Sequence, residues 1–350
     1  MAHLKYDKKL LLRLAVLAIG VYATIVLPPW RLTFLQITPL PDSLGEQVKS
    51  ITEYGFDSAI VYIQQGDDVA EFYTAGQQER RSTTAVKPGA LFKIASIGKL
   101  YDVVAVTKLA ADGRLSLDKT LAEYLPELAA SIANAESITL RMMVQHRSGI
   151  PNFTNAAGFW GGPSTTTAEA LALIAGLPAT FEPNQGYEYS NTNYLLIAEI
   201  IKAATGLDKR QIISDEILLP LNLSNTFFHL ADIDVNALVS GYHVNTPGDM
   251  KTVNYGSMIA TAQDLGKFIR ALNTGQILDS KEDEIYTTLY PRSHTGLIPG
   301  YQSIARYHAE SDSVIVIFVN TTDFADYQHW AIFEALYSRI LTLHTQRIDT

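Results

Sequence analysis

Ser96 and Lys99 are the first residues of this chain whose types and spacing could support catalysis. They stand at the start of an apolar run that predicts a helix, and positions i and i+3 share one helix face, so Lys99 can reach the Ser96 hydroxyl. Such a lysine can accept the serine proton, while the helix N-terminus stabilises the oxyanion that develops on a carbonyl. Because Ser-x-x-Lys also arises by chance, the pair alone favours an ordinary helix start.

A second segment, Tyr189-Ser190-Asn191, follows a turn-rich approach to a long predicted helix. A tyrosine beside a lysine could shuttle a proton, and an asparagine two residues further on could bind a substrate amide. Seen alone, Asn191 is more simply the cap of a helix that starts near Asn193.

A third segment, His294-Thr295-Gly296, precedes a predicted C-terminal hairpin. An edge strand beside a cleft can lay its backbone amides along a substrate, and a glycine allows the close approach. His294 could supply a positive or hydrogen-bonding group for a carboxylate, although a lone histidine is more often an ordinary surface residue.

The elements that must position these side chains follow from hydrophobic periodicity. Mostly helical sequence separates two predicted hairpins, so we expect an α+β fold. Its antiparallel sheet would be flanked by terminal helices and would carry a large inserted helical lobe, with a cleft between the lobes. The predicted elements are helices at about residues 43–54 and 326–343, and hairpins of residues 59–64 with 69–74 and of residues 301–308 with 313–320.

The N-terminus has the order of an export signal, in which a basic stretch precedes an uncharged apolar run over residues 14–27 and a Pro-Pro break. We expect an uncleaved membrane anchor in preference to a cleaved signal peptide, and either of these in preference to a buried helix. The remainder would then lie in the periplasm or on the extracytoplasmic face of the inner membrane. The predicted segments are residues 1–30 as signal or anchor, 31–42 as linker, and 43–345 as one domain, with a sheet lobe at about 43–92 and 290–345 and a helical lobe at about 93–289.

Composition excludes several classes of function. The 350 residues carry a formal net charge of −9, and the one cationic cluster lies within the first thirteen residues, so a nucleic-acid partner is not expected. The chain contains no cysteine, which excludes disulfides, thiolate metal sites and a cysteine nucleophile. The eight histidines show no metal-ligand spacing, so neither a metal nor another cofactor is expected.

Taken together, the three short segments occur in the order typical of one family. Ser96-Ile97-Gly98-Lys99, Tyr189-Ser190-Asn191 and His294-Thr295-Gly296 resemble the three motifs of the serine β-lactamase and penicillin-binding protein family, in its class C β-lactamase and DD-peptidase branch. The resemblance spans about residues 45–340. Its supporting stretches are residues 145–151, 181–206, 218–223 and 258–265.

The resemblance implies a role for each residue of the motifs. Ser96 would attack an amide or ester carbonyl and form an acyl-enzyme, and Lys99 with Tyr189 would transfer protons. Asn191 would bind the substrate amide, and the backbone N–H groups of Ser96 and Leu297 would form the oxyanion hole. The remaining implied substrate contacts are His294, Thr295, Gly296 and Phe153.

The same resemblance ranks the substrates. Class C β-lactamases usually have lysine at the position of His294, whereas some DD-peptidases and esterases have histidine there. Because a histidine with a pKa of about 6.5 is mostly neutral at pH 7, carboxylate recognition would be weak or would strengthen below that pKa. We therefore expect a D-alanyl-D-alanine carboxypeptidase-like enzyme that acts on peptidoglycan peptides or small molecules, then an esterase or other amidase, then a β-lactamase. A non-catalytic penicillin-binding sensor is the alternative of another class.

Overall fold

The computed structural model of this chain describes residues 29–162 and 166–348, together with Lys9, Leu12, Arg13, Val16 and Leu17. The predicted signal or anchor over residues 1–30 therefore lies mostly outside the described residues. Within the part that is described, no helix combines the length and the apolar character needed to cross a bilayer.

The strands form two antiparallel sheets. The described strands are β1 (Ser58–Gln65), β2 (Glu71–Gly76), β3 (Phe92–Lys93), β4 (Thr226–Phe227), β5 (Ile259–Ala260), β6 (His294–Ile298), β7 (Tyr301–His308) and β8 (Ser313–Asn320). The large sheet has the order β2-β1-β8-β7-β6, and the small sheet has the order β3-β5-β4. Strand β6 thus lies at one edge of the large sheet.

Helices surround the large sheet and fill the sequence between its two hairpins. The described α-helices are α1 (Trp30–Ile37), α2 (Leu44–Ser50), α3 (Gly98–Ala111), α4 (Leu121–Tyr124), α5 (Pro126–Ala129), α6 (Leu140–Val144), α7 (Thr167–Ala172), α8 (Asn191–Thr205), α9 (Lys209–Ile213), α10 (Ala262–Asn273), α11 (Ser280–Leu289) and α12 (Tyr327–Ile348). A π-helix over Ser214–Leu218 continues α9. The short 3₁₀ segments are Ile51–Tyr54, Ala95–Ile97, Phe153–Asn155, Phe159–Gly161, Leu230–Asp232, Val235–Ala237 and Ala309–Ser311.

Both faces of the large sheet are covered, which explains the uninterrupted apolar sequence of β8. Side chains alternate along a strand, so Ile315 and Ile317 enter the core that includes the terminal helices α1, α2 and α12. Val316 and Phe318 point the other way, into the larger core shared with α10 and the helical region. Every residue of β8 is buried.

The predicted fold class is confirmed. The C-terminal hairpin has the predicted bounds, and the final helix extends to Ile348. The second N-terminal strand was placed two residues too early, because Val69 lies 92% exposed in the turn and pairing with β1 begins at Glu71.

This architecture brings three distant segments together. The 3₁₀ turn Ala95–Ile97 follows β3 of the small sheet, leads into α3 and contacts edge strand β6. Helix α8 packs against α3 from the other side. The three predicted motifs therefore converge where the sheet meets the helical region.

Candidate active site

Ser96 lies in a tight turn between β3 and α3. The preceding residue, Ala95, has a φ of 52°, a left-handed conformation that costs about 1–3 kcal/mol for a residue with a side chain. The Ala95 N–H donates to Ser257 Oγ at 2.8 Å, and that hydroxyl donates to the Met258 carbonyl at 2.7 Å. These contacts hold the strained turn, so Ser96 is presented to the cleft at the N-terminus of α3.

Lys99 is 8% exposed and points towards Ser96, as the helical spacing predicts. Its ammonium lies 3.2 Å from Ser96 Oγ and donates to Asn191 Oδ1 at 2.8 Å. It also lies 4.9 Å from the ring centre of Tyr189 and 5.2 Å from that of Tyr194. The lysine therefore sits where it can exchange a proton with the serine.

Asn191 is the first residue of α8, and Ser190 occupies the N-cap position, so this helix starts two residues earlier than expected. The Asn191 backbone N–H donates to Asn152 Oδ1 at 3.1 Å, and its Nδ2 donates to Thr154 Oγ1 at 3.2 Å. With Oδ1 taken by Lys99, the side chain aligns the lysine and ties the 152–154 loop to the site.

Tyr189 lines the cleft beside Lys99 and His146. Its ring centre is 4.3 Å from that of His146. The Tyr189 hydroxyl oxygen is buried and makes no hydrogen bond within the described part of the chain. A hydroxyl of this kind can take a proton from, or give one to, a group that enters the cleft.

Gly296 explains how β6 comes so close to the nucleophile. A Cβ at this position would lie 2.2 Å from Ser303 Oγ and 2.3 Å from the Ile94 carbonyl oxygen, so only glycine fits without a shift. Ser303 on β7 donates to that same carbonyl at 3.1 Å, which joins the sheet to the serine turn. Leu297, the other expected oxyanion-hole residue, lines the cleft next to this contact.

His294 is partly buried rather than on the open surface. Its Nε2 lies 2.9 Å from the Tyr290 hydroxyl, and its Nδ1 contacts the Thr295 carbonyl. Burial, together with the nearby Lys99 charge, lowers the pKa of His294 to about 4 even though the Thr295 carbonyl favours the protonated form. The expectation of an ordinary histidine pKa was therefore wrong, because the ring is desolvated and no carboxylate pairs with it.

His146, which follows α6 in the helical region, supports this arrangement. Its Nδ1 accepts from the Ser190 N–H at 3.1 Å, and its Nε2 lies 3.4 Å from the Tyr290 hydroxyl. Burial first, then the charges of Lys99 and His294, lower the pKa of His146 to about 3. Neither His146 nor Tyr290 was assigned a role from sequence, although His146 lies in the resembling stretch 145–151.

The cleft has a volume of about 580 Å³ and is lined by all the predicted site residues except Gly296, which is buried. Its helical side carries an aromatic wall, which we define as Phe153, Phe159, Trp160 and Tyr255. Neighbouring rings meet edge to face with centres 5.0–5.4 Å apart, and the Tyr255 hydroxyl donates to the Trp160 carbonyl at 3.0 Å. Of these four, only Phe153 was singled out from sequence, because Phe159 and Trp160 lie in a short 3₁₀ segment and Tyr255 in a loop, and neither shows hydrophobic periodicity.

We call the side formed by β6 and the side chains that hold His294 the strand side. Aspartate, glutamate and histidine side chains of the described residues form no group of three that could hold a metal ion. The reactive groups of the site are a serine, an amine, a phenol and backbone amides, and these are the groups that acyl transfer uses.

Comparisons with known proteins bear on the family and the fold of this chain. The Beta-lactamase family model matches residues 42–292, more than half of the chain. Penicillin-binding protein 4* of Bacillus subtilis (strain 168) is 23% identical over 323 residues, which cover 79% of this chain and 70% of that protein.

Two solved structures share the fold. The D-amino acid amidase from Ochrobactrum anthropi SV3, in complex with L-phenylalanine amide, superposes with a TM-score of 0.75 at 22% identity, over 87% of this chain and 98% of that one. A penicillin binding protein from Bacillus halodurans superposes with a TM-score of 0.68 at 18% identity, over 84% of this chain and all of the other.

Proposed function

We infer that this chain, which belongs to the Beta-lactamase family, is a serine hydrolase that cleaves amide bonds through an acyl-enzyme on Ser96. The observation that carries the proposal is the contact of Lys99 with both Ser96 Oγ and Asn191 Oδ1 at the edge of a cleft of suitable size. A lysine held in this position activates a serine that would otherwise be a weak nucleophile.

The proposed reaction has two half-reactions. In the first, Lys99 takes the Ser96 proton as Oγ attacks the substrate carbonyl, and the N–H groups of Ser96 and Leu297 stabilise the oxyanion. Lys99 and Tyr189 then return the proton to the leaving nitrogen as its bond to the carbonyl carbon breaks. In the second, water attacks the ester carbonyl, its proton passes back along the same two side chains, and Ser96 Oγ leaves as the hydroxyl.

The class of amide is the finer part of the proposal. The D-amino acid amidase and the D-stereospecific amidohydrolase that share this fold suggest substrates with a D-configured residue next to the scissile bond. The aromatic wall supports an acyl group with an aromatic or bulky apolar side chain. D-alanyl-D-alanine carboxypeptidase, esterase and β-lactamase activities remain alternatives that use the same acyl-enzyme.

The Ser96→Ala variant tests the nucleophile. We expect it to lose all covalent labelling by a fluorescent penicillin and all hydrolysis of p-nitrophenyl esters, because no other group would form the acyl bond. Ser131→Ala, which removes a hydroxyl that donates to the Leu128 carbonyl away from the cleft, should keep both. Labelling or turnover that survives in Ser96→Ala would refute the assignment.

Intact-mass spectrometry after incubation with benzylpenicillin separates the alternatives. A persistent adduct indicates a carboxypeptidase-like enzyme, and rapid turnover indicates a β-lactamase. Absence of an adduct together with hydrolysis of D-amino acid amides or of esters indicates an amidase or an esterase. Absence of both indicates a non-catalytic binding protein.

Export is a separate part of the proposal. The basic stretch followed by the apolar run over residues 14–27 supports an N-terminal signal or anchor. Residues 1–42 fused to alkaline phosphatase, which is active only outside the cytoplasm, should give active enzyme, and fractionation should place it in the membrane if the anchor is retained. A fusion in which residues 14–27 are deleted is the control.

A further inference from the structure

Three rings on the strand side form a continuous chain of polar contacts. The Tyr290 hydroxyl lies 3.4 Å from His146 Nε2 on one side and 2.9 Å from His294 Nε2 on the other. The rings of Tyr290 and His294 are nearly parallel, with an interplanar angle of 5°. These contacts connect the interior of the helical region to the strand that borders the nucleophile.

The partners at the two ends decide where the protons lie. The Ser190 N–H donates to His146 Nδ1, and Asn193 Nδ2, also a donor, lies 3.5 Å from the same nitrogen. His146 Nδ1 must therefore be unprotonated, so neutral His146 carries its proton on Nε2 and donates it to the Tyr290 oxygen. The Tyr290 O–H then donates to His294 Nε2, which leaves the His294 proton on Nδ1, where the Thr295 carbonyl accepts it.

Protonation of His294 would break this order. Both His146 and His294 would direct an N–H at the Tyr290 oxygen, and the Tyr290 O–H would have to turn from His294 to the Tyr194 hydroxyl, a second hydrogen-bonding neighbour of Tyr290. The titratable groups that face His294 are Lys99 from α3, Tyr189 from the segment before α8, His146 after α6, and Tyr290 after α11, and none of them is a carboxylate. The surroundings of His294 therefore keep its ring uncharged.

The lysine and arginine side chains that line the cleft are bound to other side chains. Lys99 is bound to Asn191. At the α9 end of the cleft, Lys209 pairs with Asp102 at 2.8 Å and Arg210 pairs with Asp208 at 2.6 Å. The strand side, which would face a leaving group, thus presents no cation from the described residues to a carboxylate.

We propose that Tyr290 and His146 are positioning residues that hold His294 as the neutral Nδ1–H tautomer, and that the cleft therefore takes substrates whose leaving group carries no carboxylate. This inference rests on the proposed function and narrows its substrate class to amides and esters with uncharged leaving groups. A neutral imidazole with its proton turned to the backbone offers a leaving-group carboxylate neither charge nor a hydrogen-bond donor.

A matched pair of thioesters tests the substrate class. Hippuryl-thioglycolate and hippuryl-thioglycolamide share an aromatic acyl group and differ only in a carboxylate or carboxamide on the leaving thiol. A thiol reagent reads the released thiol without background because the protein contains no cysteine. We expect the wild-type ratio of kcat/KM for carboxylate over carboxamide to be one or lower, with no increase between pH 8 and pH 5.5.

Variants of the protein test whether the ratio of kcat/KM depends on His294. His294→Lys supplies a permanent cation and should raise the ratio about tenfold, mainly through a lower KM for the carboxylate. Tyr290→Phe frees His294 Nε2 and should raise the ratio only at acid pH. Tyr337→Phe is the control. The Tyr337 hydroxyl lies 2.7 Å from His308 Nε2 behind the sheet, so this variant removes a Tyr–His hydrogen bond of the same kind and should leave the ratio unchanged.

Proton positions are measured independently of activity by nitrogen-15 NMR of labelled histidines, assigned with His294→Gln. A neutral His294 protonated on Nδ1 at pH 6 is the expected result, and its loss in Tyr290→Phe but not in Tyr337→Phe identifies the positioning role. An Nε2–H tautomer, a cation at pH 6, or a wild-type preference for the carboxylate would overturn the inference. If neither thioester is cleaved and Ser96 forms no adduct, the proposed function fails, while the NMR result still decides the state of His294.

Discussion

The two sides of the cleft are built by different means. On the strand side, hydrogen bonds of fixed direction and a glycine pressed against backbone bring Ser303, Gly296 and His294 to the serine turn. The aromatic wall instead consists of rings from two 3₁₀ segments and a loop, held mainly by edge-to-face contacts. Directional contacts tolerate little displacement, whereas packed rings can shift and still make contact.

This difference suggests a division of labour. The strand side sets the positions of the backbone amides and the protonation of His146 and His294, and the rate of acyl transfer depends on both. The aromatic wall provides apolar surface, which selects the acyl group by binding. Changes on the strand side should therefore lower kcat, and changes in the wall should raise KM.

The largest effect is expected for Gly296→Ala. The new Cβ would lie 2.2 Å from Ser303 Oγ and 2.3 Å from the Ile94 carbonyl oxygen, so β6 must move away from Ser96. A displacement of about 1 Å at a reacting centre costs roughly 100-fold, and we expect kcat for p-nitrophenyl esters to fall by at least about that factor.

Gly161→Ala is the matched control on the wall side, because a Cβ there meets nothing within 4 Å and the residue has no positive φ. It should keep activity within about twofold, a margin allowed for a substitution outside special backbone or packing sites. Equal losses in the two variants would remove the distinction between the sides of the cleft.

Acid should weaken the strand side, because it depends on neutral His146. With a folded pKa of about 3 against an ordinary value of about 6.5, the unfolded chain binds more protons than the folded chain between these pH values. The free energy of unfolding therefore falls as pH decreases below 6.5, by about 2 kcal/mol from this residue at pH 5.

In His146→Gln that contribution is absent, so its loss of stability between pH 7 and pH 5, measured by urea unfolding, should be smaller than that of wild type by about 2 kcal/mol. Between pH 7 and pH 8 the two proteins should show the same change. A parallel decline of both proteins down to pH 5 would contradict the assignment of His146 as a neutral buried group.

The smallest effect is expected for Trp160→Leu. Removing one ring of the wall should raise KM for a hippuryl thioester about tenfold, because one favourable aromatic contact contributes about that factor to binding. The value of kcat should stay within about twofold. Acetyl esters, which lack the aromatic group, should show no change in KM. Trp330→Leu alters a tryptophan behind the sheet and should affect neither substrate. A fall in kcat with unchanged KM would assign the wall a catalytic role.

Local patterns allowed much of the fold to be predicted. The β-rich runs of the hairpins and the amphipathic terminal helix are local signals, and their positions agree with β1, β7, β8 and α12 to within a few residues. The start of β2 was missed because Val69, a good strand former, lies exposed in the turn. Propensity alone does not say where pairing begins.

The candidate site was predicted as a set of residues but not as an arrangement. Ser96, Lys99, Tyr189 and Asn191 come together as their motifs suggested. The contact of Lys99 with Asn191 and the tyrosine between two histidines involve residues far apart in the chain, and no short-range pattern encodes them.

By itself, the sequence determined the types of reactive group, their order along the chain, and the β-rich runs that form the hairpins of the large sheet. These are local properties, since helix spacing places Lys99 near Ser96 in any fold that keeps the helix. Only the tertiary structure decided that the pKa of His294 is lowered to about 4, so that the ring stays neutral in mildly acidic solution as well. Its pKa depends on the burial of the ring and on the charge of Lys99 from a distant segment, and desolvation exists only once the chain has packed.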